Sequence, residues 1–300
     1  MIDDYLKAHQ ERIEKIISKY LDSNKFKVGE KSECLKLIEA IQYSTLSGGK
    51  RIRSMLLYMA AEACNEIKDG EMIGIAGAAI EMMHCYSLIH DDLPAMDNDN
   101  LRRGKPSCHI AFGESNAILA GDALHSFSYE LLSTAGNFSD EIRLKLIRQL
   151  SKAAGINGMV GGQAIDLAVV GKKINPDELQ YMHQLKTGAL ISSSVIMGAI
   201  CVGATKKQLD SLQKFGEAIG LAFQIRDDIL DLEAPAEILG KTSGSDESQN
   251  KPTYPSLLGL EEAKNQCVKL CNTAIEALND FNERANNLRE TANYIILRSF

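Results

Sequence analysis

Apolar residues recur at three- and four-residue spacing along almost the whole chain, and this periodicity leaves little room for anything but helices. Leu6, Ile13, Ile16, Ile17 and Tyr20 form one stripe, Leu35, Ile38 and Ile41 a second, and Leu209, Leu212, Phe215, Ile219 and Phe223 a third. No run of β-branched residues alternates with polar ones. The breaks are short: Gly29, Gly48-Gly49, the polar stretch Asn98 to Pro106, Gly136-Asn137, and Asn175-Pro176-Asp177, where proline near the first turn marks a helix start. Glu233 to Pro255 is the longest stretch without helical pattern, and a loop of that length is usually a functional lid. With 300 residues, 45% of them hydrophobic, the chain can fill a core without staples. The predicted fold class is all-α, one domain over residues 1–300. Thr187 to Thr205 carries no formal charge, yet its serines at 192 to 194 and glycines at 188, 198 and 203 suit a helix buried all round rather than a membrane span.

The net charge of −7 argues against nucleic-acid binding, because an acidic surface repels polyphosphate. Seven cysteines without a Cys-x-x-Cys pair predict reduced thiols and a cytoplasmic protein. Neither end carries a leader or lipidation pattern, so none is expected.

Two clusters of aspartate carry the chemistry. Asp91, Asp92, Asp97 and Asp99 follow the apolar helical stretch Ile80 to His90, and Asp227, Asp228 and Asp231 end another periodic helix. A helix C-terminus already carries partial negative charge, so carboxylates piled there need a counter-cation. Carboxylate and water suit Mg²⁺, which also bridges to substrate phosphates. Asp91 and Asp97 cannot share a helical face, so Leu93-Pro94 must break the helix and let the chain bulge before Asp97 returns. Asp227 and Asp231 lie one turn apart on the same face.

Cationic residues should meet the same phosphates. Gly48-Gly49-Lys50-Arg51-Ile52-Arg53 opens a helix, with Lys50 and Arg53 on one face and free backbone N–H groups nearby. Arg102-Arg103 follows the first acidic cluster, and arginine forks suit phosphate. Lys186, Lys241 and Lys251 complete the set. His84 lies near the acidic end of its helix; His90, beside Asp91, could orient a carboxylate. His9, His109, His125 and His183 give no signal, and Gly161-Gly162 reads as helix packing.

The segment Ser87 to Gly104, with its His90-Asp91-Asp92 and Asp97-Asn98-Asp99, resembles the first aspartate-rich motif of the trans-isoprenyl diphosphate synthases, most closely the bacterial farnesyl-forming branch. Gly48 to Arg53, Gly161 to Asp166, Lys186 to Leu190, Phe223 to Asp231 and Thr253 to Leu260 match further blocks in family order. The resemblance implies the isoprenoid-synthase helical bundle with a central cavity, a homodimer and about three Mg²⁺ ions. It implies metal ligands among Asp91, Asp92, Asp97, Asp227 and Asp231. Arg102, Lys186, Lys241 and Lys251 would grip the allylic diphosphate, and Lys50, Arg53, His84 and Arg103 isopentenyl diphosphate. Thr187 and Gln224 would line the region where a carbocation forms. Tyr86 would floor the cavity and favour a C15 product; the same reaction stopping at C10 or C20 is the nearest alternative. A terpene cyclase needs a different second metal motif and has no use for an isopentenyl site, and an inactive subunit would have lost aspartates. Two departures stand out: Arg226 where such enzymes have glutamine, able to add a cation to the second metal face or pair with Asp228, and Asn250-Lys251-Pro252 in place of a Gly-Lys-Ser context.

Overall fold

The stripes fold as helices in the computed structural model, which describes residues 2–26, 32–233 and 251–297. In chain order they are α1 (Ile2–Tyr20), α2 (Ser32–Leu46), α3 (Ile52–Cys64), α4 (Gly70–Asp91), a two-stranded hairpin β1 (Leu101–Arg102) and β2 (Lys105–Pro106), α5 (Cys108–Phe112), α6 (Glu114–Thr134), α7 (Asp140–Ala154), α8 (Met159–Val169), α9 (Pro176–His183), α10 (Ala189–Cys201), α11 (Lys206–Glu233), α12 (Tyr254–Leu258), α13 (Leu260–Glu276) and α14 (Asn286–Leu297). The all-α expectation holds, and Asn175 closes a capping box with Glu178 at the predicted start of α9. The hairpin was not anticipated. Its turn is left-handed at both central residues, Arg103 (φ 55°) and Gly104 (φ 74°), the twist that joins two antiparallel strands most tightly.

Two compact units emerge, Asp3–Met55 with Gly70–Arg143, and Leu56–Asp69 with Leu144–Phe300. In the first, α4 packs along α6, and Ile13 and Ile17 of the first stripe are fully buried. In the second, α11 packs between α10 and α13. Residues 190 to 199 of α10 are all buried, its serines included, as expected for a helix enclosed on every side. Ser194 donates back to the Leu190 carbonyl (2.8 Å), and Gly198 lets the Leu57 backbone press against the helix. Two helical stretches, Gly70–Asp91 and Pro176–Cys201, are long and apolar enough to cross a membrane, but 72% and 67% of their most apolar windows are buried in protein. The described cysteines are all free.

Candidate active site

In the first unit the break at Leu93-Pro94 does what the spacing required. Helix α4 ends at Asp91, the Met96 amide bonds to the Leu93 carbonyl, and the Asp97 amide returns to the Asp91 carbonyl at 2.9 Å. Asn98, in the left-handed region (φ 54°), bonds back to Leu93 and holds the reversal. Asp91 and Asp97 are left half-exposed side by side in the fold-back. Asp92 is different. It is buried, and the Arg102 guanidinium grips both its oxygens, with Nε at 3.0 and 3.2 Å and Nη2 also on Oδ1, while Nη2 reaches Asp99 at 3.3 Å. Burial pushes the Asp92 carboxyl above its ordinary range against the pull of Arg102. Two candidate residues, one for metal and one for diphosphate, thus occupy each other.

The basic segment is wound by left-handed residues at Gly48 (φ 84°), Gly49 (φ 114°) and Arg51 (φ 52°); glycine takes that region freely, and Arg51 is the non-glycine residue held there, a conformation folds keep mainly at functional sites. The Arg103 guanidinium lies against Gly49, where a Cβ would come within 2.5 Å of Cζ, and Nη1 donates to the Gly48 carbonyl. Arg51 turns inward. It is buried, donates to the Thr45 carbonyl (2.6 Å) and sits 3.7 Å from Glu81, which accepts the Ser54 amide (2.9 Å). Lys50 and Arg53 stay half-buried on either side of it. The His84 imidazole is held well below its usual proton affinity, first by burial and then by Arg53, Arg103, Arg102 and Arg51. His84, Arg53 and Arg103 therefore share one strongly electropositive environment, which suits an anion.

In the second unit, Asp227 is half-exposed near the end of α11, while Asp228 and Asp231 are buried, 2% and 5% exposed. A cavity of about 640 Å³ is lined by Asp228, Asp231, Lys251, Lys172 and Lys173 among others, so Lys251 lines the same cavity as two aspartates of the second cluster despite its altered context. Residues Gln184–Gly188 form a π-helical turn, a wide turn frequent at functional sites. It lifts Lys186 onto Asp166 (2.5 Å) and Thr187 onto Gln224, whose Oε1 accepts the hydroxyl at 2.7 Å. Two glycines permit this. A Cβ on Gly162 would meet the Lys186 backbone nitrogen at 2.2 Å, and one on Gly220 the Gly188 Cα at 2.7 Å. Lys241 lies outside the described residues, as do Gly29 and most of the expected lid.

One role differs from expectation. His90 does not orient Asp91; its Nε2 meets the Ile118 carbonyl (3.0 Å) and lies 3.9 Å from Asp122, because Gly121 leaves a hollow for the ring on α6. Arg226 reaches Glu233 at 3.7 Å. Tyr86 stands edge-on to both His90 and His125, with centroids 5.0 Å apart in each case. Arg51, Asp166 and His183 were not singled out. Asp166 lies four residues after the packing glycine Gly162, one turn along the same face, and that spacing was the available signal.

Among the described residues, no three His, Cys, Asp or Glu side chains converge on a point. Mg²⁺ does not need them to: it keeps several waters and takes one or two carboxylates plus substrate oxygens. The donors at both helix ends are carboxylates, and the residues present fit that hard cation.

A polyprenyl synthetase family model matches residues 35–294. The chain belongs to the polyprenyl synthetase family. It is 45% identical to a farnesyl diphosphate synthase of Escherichia coli (strain K12) over 88% of this chain and 89% of that one. It is 44% identical to a chloroplastic geranylgeranyl pyrophosphate synthase of Catharanthus roseus over 89% of this chain and 75% of that one. A geranyltransferase of Helicobacter pylori, solved with magnesium and isoprenyl diphosphate, superposes with a TM-score of 0.83 at 35% identity, covering 98% of this chain and 96% of that one. The family member described here is a prenyltransferase that elongates prenyl chains.

Proposed function

We propose that this prenyltransferase condenses isopentenyl diphosphate head-to-tail with dimethylallyl and then geranyl diphosphate, releasing the C15 product, farnesyl diphosphate. The observation that carries the condensation is the cluster of His84, Arg53 and Arg103 around the left-handed Gly48–Arg51 segment. A terpene cyclase, which works on one diphosphate, has no use for a second cationic pocket. Asp91 and Asp97, and separately Asp227 and Asp231, would hold Mg²⁺, about three ions in all, with Asp92 fixing Arg102. Bound Mg²⁺ supplies positive charge for the leaving diphosphate. Arg102, Lys186, Lys241 and Lys251 grip the allylic diphosphate, and Lys50, Arg53, Arg103 and neutral His84 hold isopentenyl diphosphate. The allylic C–O bond breaks with its electron pair on diphosphate, the isopentenyl double bond attacks the cation, and the released diphosphate takes the proton. Thr187 and Gln224 face the cation.

The stopping point rests on Tyr86 and its two imidazole neighbours as the cavity floor. The geranylgeranyl relative, nearly as similar as the farnesyl one, favours a C20 product as the second reading. Exposed Ile110, Ile118 and Leu119 on α5 and α6 support a homodimer, and the free cysteines a cytoplasmic location. Incubation with dimethylallyl and isopentenyl diphosphates, with Mg²⁺ and with a chelator, tests the reading. A C15 diphosphate only in the presence of metal is expected. A C20 product moves the floor away from Tyr86, and no condensation overturns the reaction.

A further inference from the structure

Asp228 has both oxygens taken. Gln224 Nε2 donates to Oδ1 (3.0 Å), and the Tyr254 backbone N–H at the head of α12 donates to Oδ2 (3.0 Å), with His183 Nε2 3.4 Å away. Gln224 lies one helical turn before Asp228 on α11, and its other end meets Thr187. A carboxylate only accepts, so the amide end facing Asp228 must be the NH₂. The end facing Thr187 is then the carbonyl, which also only accepts, so the Thr187 proton must point at Gln224. The hydroxyl oxygen is left presenting lone pairs, never a proton, to whatever lies beyond it.

We infer that Asp228 is a positioning residue: through Gln224 it fixes the polarity of the Thr187 hydroxyl, so that an electron-rich oxygen faces the allylic cation. This rests on the proposed condensation. Electrostatic stabilisation is strongest where dipoles are already oriented before charge develops. A freely rotating hydroxyl would have to turn its proton away as the cation forms; this one is already turned. The relay also ties the cation region to the fold of α12, since the Tyr254 amide anchors the second carboxylate oxygen.

Asp228→Asn separates this from a packing role. Asparagine has one acceptor, and the Tyr254 N–H cannot rotate away from it. The asparagine NH₂ therefore faces Gln224, the glutamine amide turns over, and the Thr187 proton is driven outward. The expected result is a fall of about 100-fold in kcat, with KM for both diphosphates unchanged within about twofold, because the relay touches neither. Thr187→Val should lose a similar factor, and the Thr187→Val, Asp228→Asn double variant should be no slower than the slower single. Losses that multiply would overturn the inference. Should Asp228→Asn not fold, as read by circular dichroism, Gln224→Met breaks the relay while leaving the Asp228–Tyr254 contact, and the same cycle with Thr187→Val decides. Wild-type protein without condensation activity would instead sink the functional reading itself.

Discussion

In the first unit Asp97 reaches back to Asp91 across a broken helix, whereas in the second Asp227, Asp228 and Asp231 ride one unbroken helix to its last turn. The first cluster is a loop held by backbone bonds and by Arg102 on Asp92. The second is a rigid face in which one carboxylate, Asp228, is turned to internal wiring. Similar letters therefore do different work. The first presents half-exposed oxygens beside a strained, cation-rich segment; the second couples its oxygens to the π turn that carries Lys186 and Thr187. Under the proposed condensation, the first would serve binding of a second anion and the second would assist ionisation.

The largest effect should come from removing one of the carboxylates proposed to hold metal. Asp91→Ala is expected to lower turnover about 1,000-fold at saturating Mg²⁺, near 4 kcal/mol of barrier. Near-normal steady-state activity would remove the fold-back loop from the metal site and leave the helical face alone.

Acid should weaken the first unit in particular. His9, buried against the Ser54 hydroxyl, has its pKa lowered to about 4 by burial, with Glu81 opposing and Arg12 reinforcing. Its native pKa lies below the unfolded value near 6.5, so the unfolded chain takes up the proton first. The stability is fully present above pH 6.5 and is lost as the pH falls towards 4, by about 3 kcal/mol. Urea unfolding across that window should show the slope, and His9→Gln should flatten it; an unchanged slope in the variant assigns the acid sensitivity elsewhere.

Paired glycine substitutions sharpen the contrast between binding and ionisation. Gly49→Ala pushes a methyl into the Arg103 guanidinium at a left-handed position. It should raise KM for isopentenyl diphosphate about tenfold with kcat nearly kept. Gly162→Ala pushes on the Lys186 backbone and should lower kcat about tenfold with little change in that KM. Initial-rate kinetics with each substrate varied in turn would show it; equal effects on both constants in both variants would erase the division.

The helical class was legible because a 3.6-residue period over most of the chain admits no other reading. The chain reversal was legible because Pro94 and a six-residue spacing cannot stay on one helical face. Arg51 was not, since in sequence it is one of three cations within four residues, Lys50, Arg51 and Arg53. Only the left-handed turn through Gly48, Gly49 and Arg51 itself sends it inward to Glu81, thirty positions away. Asp228 looked like its neighbour Asp227 because its partner is a backbone amide at Tyr254, which no local pattern can announce. The π turn likewise has no signature in Lys186-Thr187-Gly188; it follows from the fit of Gly162 and Gly220 against it.

The smallest change in rate, and the clearest change in outcome, belongs to Tyr86. Its ring is wedged edge-on between His90 of its own helix and His125 of α6, and His125 in turn meets Tyr129 at 5.2 Å. Edge-to-face contacts at these distances favour fixed ring positions, so in the proposed reading the four rings act as one plug at the cavity floor. Tyr86→Ala removes the plug's centre without touching a diphosphate ligand. The product should lengthen from C15 to C20 or beyond while turnover stays within about tenfold. Tyr86→Phe keeps the ring and should keep C15, because steric blockage needs no hydroxyl. Substitutions along the Asp228–Gln224–Thr187 relay should do the reverse, slowing the reaction with chain length unaltered. Chromatography of the dephosphorylated prenols reads both, and a Tyr86→Ala enzyme that still stops at C15 would place the floor on another wall of the cavity.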